Sequence, residues 1–327
     1  MHRILAFSAL ILFACACAYT SPTPALVPAP IPTQTTSKDE SYSGGLRTLF
    51  VSEPSQLRGI DKRAPYFQVE AGDALRGELG LVNEFPDVKD VVLILMLNYK
   101  QSLFAVEQND LAATYLLTLE PGQEIHLHVR TQSLPTAFYD VAWVFVVDPD
   151  NLATDTLARA RSEFVPINRS NVYVGNTLPS TPQFTAFEQT QPDPDSHYAF
   201  LFSLEQTADS FDLWPEVTVT PDTPLHFFVR FGVERTEVVD SRADVPIALV
   251  GFLDNHQVKI NAQDVIFGLA RQGKITTVPI TIQAPHEPGP HLFFIHRFPH
   301  PFVQIGTSSI PFQSLATQRV LIHVSPN

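Results

Sequence analysis

Four histidines, His286, His291, His296 and His300, fall within a single short stretch and are the densest group of potential ligands in the chain. A copper or zinc site needs two or three imidazoles converging on one point. Residues an odd number apart on a strand face opposite sides, so His291 and His296 should diverge. His286 and His300 could meet if a hairpin folds back between them. The competing reading is four polar residues in loops and strand ends. His126 and His128 share a strand face and start a two-ligand set, but they alternate with Ile125, Leu127 and Val129. That alternation also describes a polar row facing solvent. Asp148, Asp150 and Asp155 place hard oxygen ligands near one another, as calcium requires. Asp148-Pro149-Asp150 is equally ordinary turn chemistry. The sequence has no Gly-x-Ser-x-Gly, His-Glu-x-x-His, phosphate-loop or Ser-x-x-Lys pattern. The expectation is a protein without catalysis and without an obligatory cofactor, metal being the one ligand the residue types suggest.

The two cysteines of the chain are Cys15 and Cys17. They follow a short basic start, Met1-His2-Arg3, and an apolar run from Ile4 to Ala14 interrupted only by Ser8. This order makes a secretory signal, and the run is shorter than a permanent bilayer span. Leu12-Phe13-Ala14-Cys15 resembles the lipobox of bacterial lipoproteins, with Ala14-Cys15-Ala16-Cys17 as a second register. The resemblance implies cleavage before Cys15 (second choice Cys17) and a diacylglycerol on its sulfur. An ordinary signal cut near Ala16 or Ala18 is the alternative. Residues 1–17 are therefore read as signal peptide. Residues 18–45, rich in Pro, Thr and Ser, are read as a disordered tether that could not bury enough apolar surface to fold.

The rest of the chain must fold without disulfides, and its length allows two ordinary domains. Charged residues are 17% and hydrophobic residues 44% of the sequence, which is a core-forming balance. A net charge of −13 argues against nucleic acid as a partner and against adsorption to anionic lipid.

An internal repeat divides this part. Leu46–Glu53 resembles His197–Glu205, Tyr66–Asp73 resembles Trp214–Asp222, and Val91–Asn98 resembles Ile247–Asp254. Leu75–Val82 with Leu225–Val233, Leu117–Val129 with Gly273–Ile282, Phe138–Val147 with Pro290–His296, and Arg161–Ile167 with Gln318–Val324 complete the series. Seven matches in order predict two similar modules, 46–175 and 197–327, joined by a Pro/Thr/Gln-rich linker over 176–196 whose Phe184 and Phe187 can dock on one of them. Period-two alternation, as in Gln123–Val129, and Pro-Gly turn signals make the modules all-β. The best helical candidates are only Thr154–Ala160 and Ala262–Ala270, the second interrupted by Gly268. Phe138, Tyr139, Trp143, Phe145, Phe293, Phe294 and Phe298 are expected between sheets.

Leu119-x-Pro-Gly-Gln123, followed by Phe138-Tyr-x-Val-x-Trp-Val-Phe-Val-Val-Asp-Pro149, resembles the later strands of bacterial immunoglobulin-like and fibronectin-III-like modules. The resemblance implies two tandem immunoglobulin-like β-sandwiches. Together these readings describe an exported lipoprotein on the extracytoplasmic face of a membrane, or, if the signal is an ordinary one, a secreted protein. It would be held by membrane lipid through its N-terminus and act as a binding, adhesion or scaffolding module for another envelope protein. Phe298, Phe302, Val303 and Ile305 are the apolar loop residues expected at that contact. The alternative is a metal-handling protein that uses the histidines of the second module.

Overall fold

The structure, a computed structural model, describes residues 27–28, 35–36, 45–53, 55–61, 64–152, 165–190, 201–203, 216–233, 244–271, 274–304 and 314–326. Cys15, Cys17, Asp155, Ile305 and the helical candidate Thr154–Ala160 lie outside them. The described residues form strands and turns, arranged in four sheets.

The first sheet runs Val27–Pro28, Thr114–Leu119, Lys89–Leu97, Phe138–Val147, Ile167–Val174, Ala64–Val69, Leu57–Asp61, with Lys100–Ser102 paired to Lys89–Leu97. The second runs Thr35–Thr36, Gln123–Ser133, Ala74–Asn83, Leu46–Ser52, with Phe104–Val106 added on Gln123–Ser133. The third runs Thr185–Ala186, Ile266–Arg271, Asp244–Leu253, Gly289–Pro299, Val320–Val324, Glu216–Val219, with His256–Val258 and Leu315–Ala316 beside it. The fourth runs Gln189–Thr190, Ile275–Gln283, Pro224–Phe231, Leu201–Ser203. The strand order of the last two sheets thus repeats that of the first two.

Each pair of sheets closes over its own core, as period-two side-chain alternation requires. Leu79, Leu127, Trp143 and Phe145 belong to the first core, and Phe227, Ile280, Phe293 and Ile295 to the second. Phe50 and Phe104 meet Trp143 with ring centroids 5.6 and 5.1 Å away. Beyond fixing χ angles, such aromatic pairs each add about 0.5–1.5 kcal/mol.

Four details depart from the sequence reading. Ala262–Ala270 is not helical: Ile266–Arg271 is a strand on Asp244–Leu253, and Gly268 is there because the Phe187 ring covers it, 2.3 Å from where a Cβ would stand. The linker supplies edge strands, since Thr185–Ala186 pairs with Gly268–Leu269 and Gln189–Thr190 with Ile275–Thr276. Val27–Pro28 and Thr35–Thr36, placed in the disordered tether by composition, pair in the same manner with Tyr115–Leu116 and Gln123–Glu124. Short Pro/Thr segments can serve as sheet edges because an edge strand needs only one side of its backbone bonded. Finally, the seventh repeat match was out of register. Asn171 lies opposite Tyr66 as Leu321 lies opposite Glu216, so Val320–Val324 corresponds to residues within Ile167–Val174 rather than to Arg161–Ile167.

Candidate functional site

The central strands of the first and third sheets are buried on both faces. In Lys89–Leu97, Val91, Leu93 and Leu95 point into the first core, while Val92, Ile94 and Met96 point the other way. In Asp244–Leu253, Val245, Ile247 and Leu249 enter the second core and Ala248, Val250 and Phe252 point away. The outward sets pack on each other in a third cluster, with Val144, Val146, Phe294 and Phe298. The four sheets are therefore stacked, and this central face joins the two halves. Two buried faces explain the unbroken apolar run Val91–Leu97, which is what a doubly covered strand requires.

Polar groups are sealed into the same face. Arg169 and Asp140 form an ion pair, with Nη2 2.6 Å from Oδ2, and both side chains are almost fully buried. Tyr99 donates its hydroxyl proton to Asp140 and accepts from Arg169 Nη2 at 2.9 Å. From the other half, Phe302 N donates to Asp140 Oδ2 at 3.0 Å, and the Pro299 and His300 carbonyls accept from Arg169 at 2.7 and 3.3 Å. Burial works against the guanidinium charge, but the Asp140 charge and the hydrogen bonds outweigh it and hold Arg169 above its ordinary pKa. Burial pushes the Tyr99 phenol well above its usual range. This arrangement keeps fixed charges out of water and fixes orientation.

The turns that frame the face are matched. Asn98-Tyr99 and Asp254-Asn255 all have positive φ, the geometry of tight hairpin turns that favours Asn and Asp. Asn98 N donates to the Asp140 carbonyl and Asp254 N to the Leu292 carbonyl, both at 2.9 Å. Asp148 and His300, at the ends of corresponding strands, both have positive φ and donate to the Asp90 and Pro246 carbonyls.

The residues singled out from the sequence are dispersed. His286 is exposed and paired with Asp222, which raises its pKa. His291 meets Asp254 and the Glu287 carbonyl. His296 is wholly buried beside Phe298, 3.4 Å from the Val165 carbonyl, and burial lowers its pKa to about 4. His300 is buried in its own turn under the Arg169 contact. The four imidazoles thus have separate surroundings. Among the described residues no three His, Cys, Asp or Glu side chains are grouped to hold a metal. Asp148 is engaged by an ammonium, with Lys89 Nζ at 2.7 Å, while Asp150 is exposed. For Lys89 burial acts downward, but its hydrogen bonds to Asp148 and Asp87 prevail and raise its pKa.

Phe298 is not available to a separate partner: it is fully buried with its ring 5.0 Å from Tyr99. Phe302 stands over Tyr99 and Phe267 at 5.3 and 5.8 Å, and Val303 is half-buried beside it. Loop aromatics next to a strand end signalled a contact, but the contact is internal. Phe184 and Phe187 dock on the second half against Phe267 and Phe231.

His126 and His128 do face solvent on the outer side of the second sheet. His126 is held by Glu78 at 2.7 Å and Glu124 at 3.2 Å, chiefly the Glu78 hydrogen bond raising its pKa. Next to them is a groove of about 460 Å³ between Val51, Arg76, Glu78, Glu107, His128 and Arg130. Leu49 and Val51 project from the neighbouring edge strand, 59% and 44% exposed. Sequence reading had missed this groove. The outward alternation of Leu46–Ser52 was its only available signal.

No family model and no curated protein matches this sequence. Among solved structures the chain is similar to red sea bream transglutaminase at 11% identity and a TM-score of 0.23, over 85% of this chain and 31% of that one. It is similar to PapD-like domain 7 of human CEP192 at 13% identity and a TM-score of 0.23, over 46% of this chain and 97% of that one. A family 123 glycoside hydrolase from Clostridium perfringens follows at 11% identity and a TM-score of 0.23, over 39% of this chain and 27% of that one. The chain spans about a third of the length of the transglutaminase it matches. The class the fold defines is an all-β protein of stacked sheets.

Proposed function

We propose that this chain is an exported lipoprotein that acts without catalysis as a stiff, tethered binding module at the cell envelope. Its two halves would be immunoglobulin-like sandwiches. The observation that carries the reading is the sealed central face. A binding module on a tether gains from having its parts pre-organised, because no orientational freedom between them is then lost on contact. With Phe298 and Phe302 committed internally, the groove beside Val51 is the surface we assign to an envelope protein. It combines apolar edge residues with charges of both signs, the composition of an interface rim around a small apolar centre. Anchoring would come from lipid on Cys15, where two or three acyl chains hold a soluble body firmly. No helix among the described residues is long and apolar enough to cross a membrane.

The test is mass spectrometry of the protein purified from detergent-solubilised membranes. A mature N-terminus at a lipidated Cys15, and release into the soluble fraction by Cys15→Ser, are expected. An unlipidated chain in the soluble fraction refutes the anchor. In the same preparations, Val51→Glu should lose a stoichiometric companion while keeping the wild-type Tm. Retention of the companion removes the groove from the proposal.

A further inference from the structure

Two sets of contacts across the central face are reciprocal, one of glutamines and one of arginines, while the Phe302 N bond to Asp140 has no mirror image. Gln101 N donates to Gln257 Oε1 at 2.6 Å, and Gln257 N donates to Gln101 Oε1 at 2.6 Å. Gln257 Nε2 reaches the Tyr99 carbonyl at 2.9 Å, and Gln101 Nε2 reaches the Asn255 carbonyl at 3.3 Å. Gln101 and Gln257 occupy the same place after matched turns, as do Tyr99 and Asn255 within them.

The arginines repeat the pattern on a larger scale. Arg169 of the first half donates to the Pro299 and His300 carbonyls of the second. Arg319 of the second half donates to the Val147 and Asp148 carbonyls of the first, the latter at 2.6 Å. The strand register makes Arg169 and Arg319 counterparts, each two residues before the matched pair Asn171 and Leu321. Asp148 and His300 are the matched positive-φ residues at the strand ends. When residue i contacts j and the counterpart of j contacts the counterpart of i, the contact is isologous, which is what a twofold axis produces between identical subunits.

We propose that this face is a self-recognition surface, and that the partner it fits is a second copy of the same half. Each half carries both sides of these glutamine and arginine contacts. The first offers Gln101 and Arg169 as donors, and the Tyr99, Val147 and Asp148 carbonyls as acceptors. The second offers Gln257 and Arg319, and the Asn255, Pro299 and His300 carbonyls. The arginine acceptors are backbone atoms, so they do not depend on which half supplies them. In the intact chain the linker makes cis closure the favoured one, by raising the effective concentration of the two halves. The inference does not depend on export or lipidation.

Each half closes two sheets over a core drawn from its own residues, so the halves can be separated after folding. A protease site is inserted after Leu178, which is 73% exposed, and the folded full chain is cut. After separation in mild denaturant and return to buffer, native mass spectrometry should show first-half pairs and second-half pairs beside the original complex. Arg169→Ala should weaken first-half pairing by roughly a hundredfold, about ten for each of two clamps, and leave second-half pairs intact. Reassembly of the mixed complex alone overturns the proposal. So does a population of single folded halves, or loss of the strand signal in circular dichroism once the halves are apart, because a face that recognises itself would stay covered.

Discussion

Arg169→Met is the sharpest perturbation of the molecule's organisation. It removes a guanidinium that bridges Asp140 and Tyr99 of its own half to two carbonyls of the other. Methionine fills much of the stem volume, so the loss is electrostatic rather than a cavity. The Asp140 carboxylate stays in place, almost fully buried, with only the Tyr99 hydroxyl and Phe302 N as donors among its contacts described above. Removing one member of a buried ion pair costs about 3–5 kcal/mol, because the remaining charge is left desolvated. Asp140→Asn in the same background should recover part of this loss, since a neutral amide needs no counter-charge. The assay is urea unfolding followed by tryptophan fluorescence, with Trp143 in the first core reporting. If Arg169→Met changes stability by less than about 1 kcal/mol, as exposed pairs do, the pair is not sealed as argued. If Asp140→Asn worsens the single variant additively, the two groups are not coupled.

Gly268→Ala should lower stability by about 1–3 kcal/mol, because a methyl group would occupy the space of the Phe187 ring, and calorimetry with Phe187→Ala as a relieving second change checks it. His296 has a folded-state pKa of about 4, below its ordinary 6.5, so the unfolded chain takes up the proton first. Its contribution is intact above pH 6.5 and declines toward pH 4 by ~3 kcal/mol, so His296→Phe should lose less stability than wild type between pH 7 and 4.5 in urea titrations. Equal losses would place the imidazole in water. His126 should titrate above 6.5 by NMR and fall back in Glu78→Gln, since the hydrogen bond to Glu78 is the main cause of its shift. An unchanged midpoint would mean that the pair does not form in solution.

The sequence by itself determined the class and most of the long strands. Alternation in Gln123–Ser133 placed Ile125, Leu127 and Val129 inside and His126 and His128 outside, because period two leaves a strand no other arrangement. The order of the repeat matches was legible for the same reason, but a weak pattern left the register loose at Ile167–Val174 and made Ile266–Arg271 read as helix. What the sequence could not reveal is what lies opposite what. Val91–Leu97 announces two buried faces but does not name the second neighbour, and that neighbour proved to be Val250, Phe252 and Phe294 of the other half. The histidines from His286 to His300 are close in sequence, yet the backbone sends them to solvent, to Asp254, to the central face and to a turn. Gln101 and Gln257 are far apart in sequence, yet they exchange hydrogen bonds. Local pattern fixes which side of a strand a residue occupies, through bond geometry. Only the packing of whole sheets fixes which distant residue it meets there, because that choice is made by burying both faces at once.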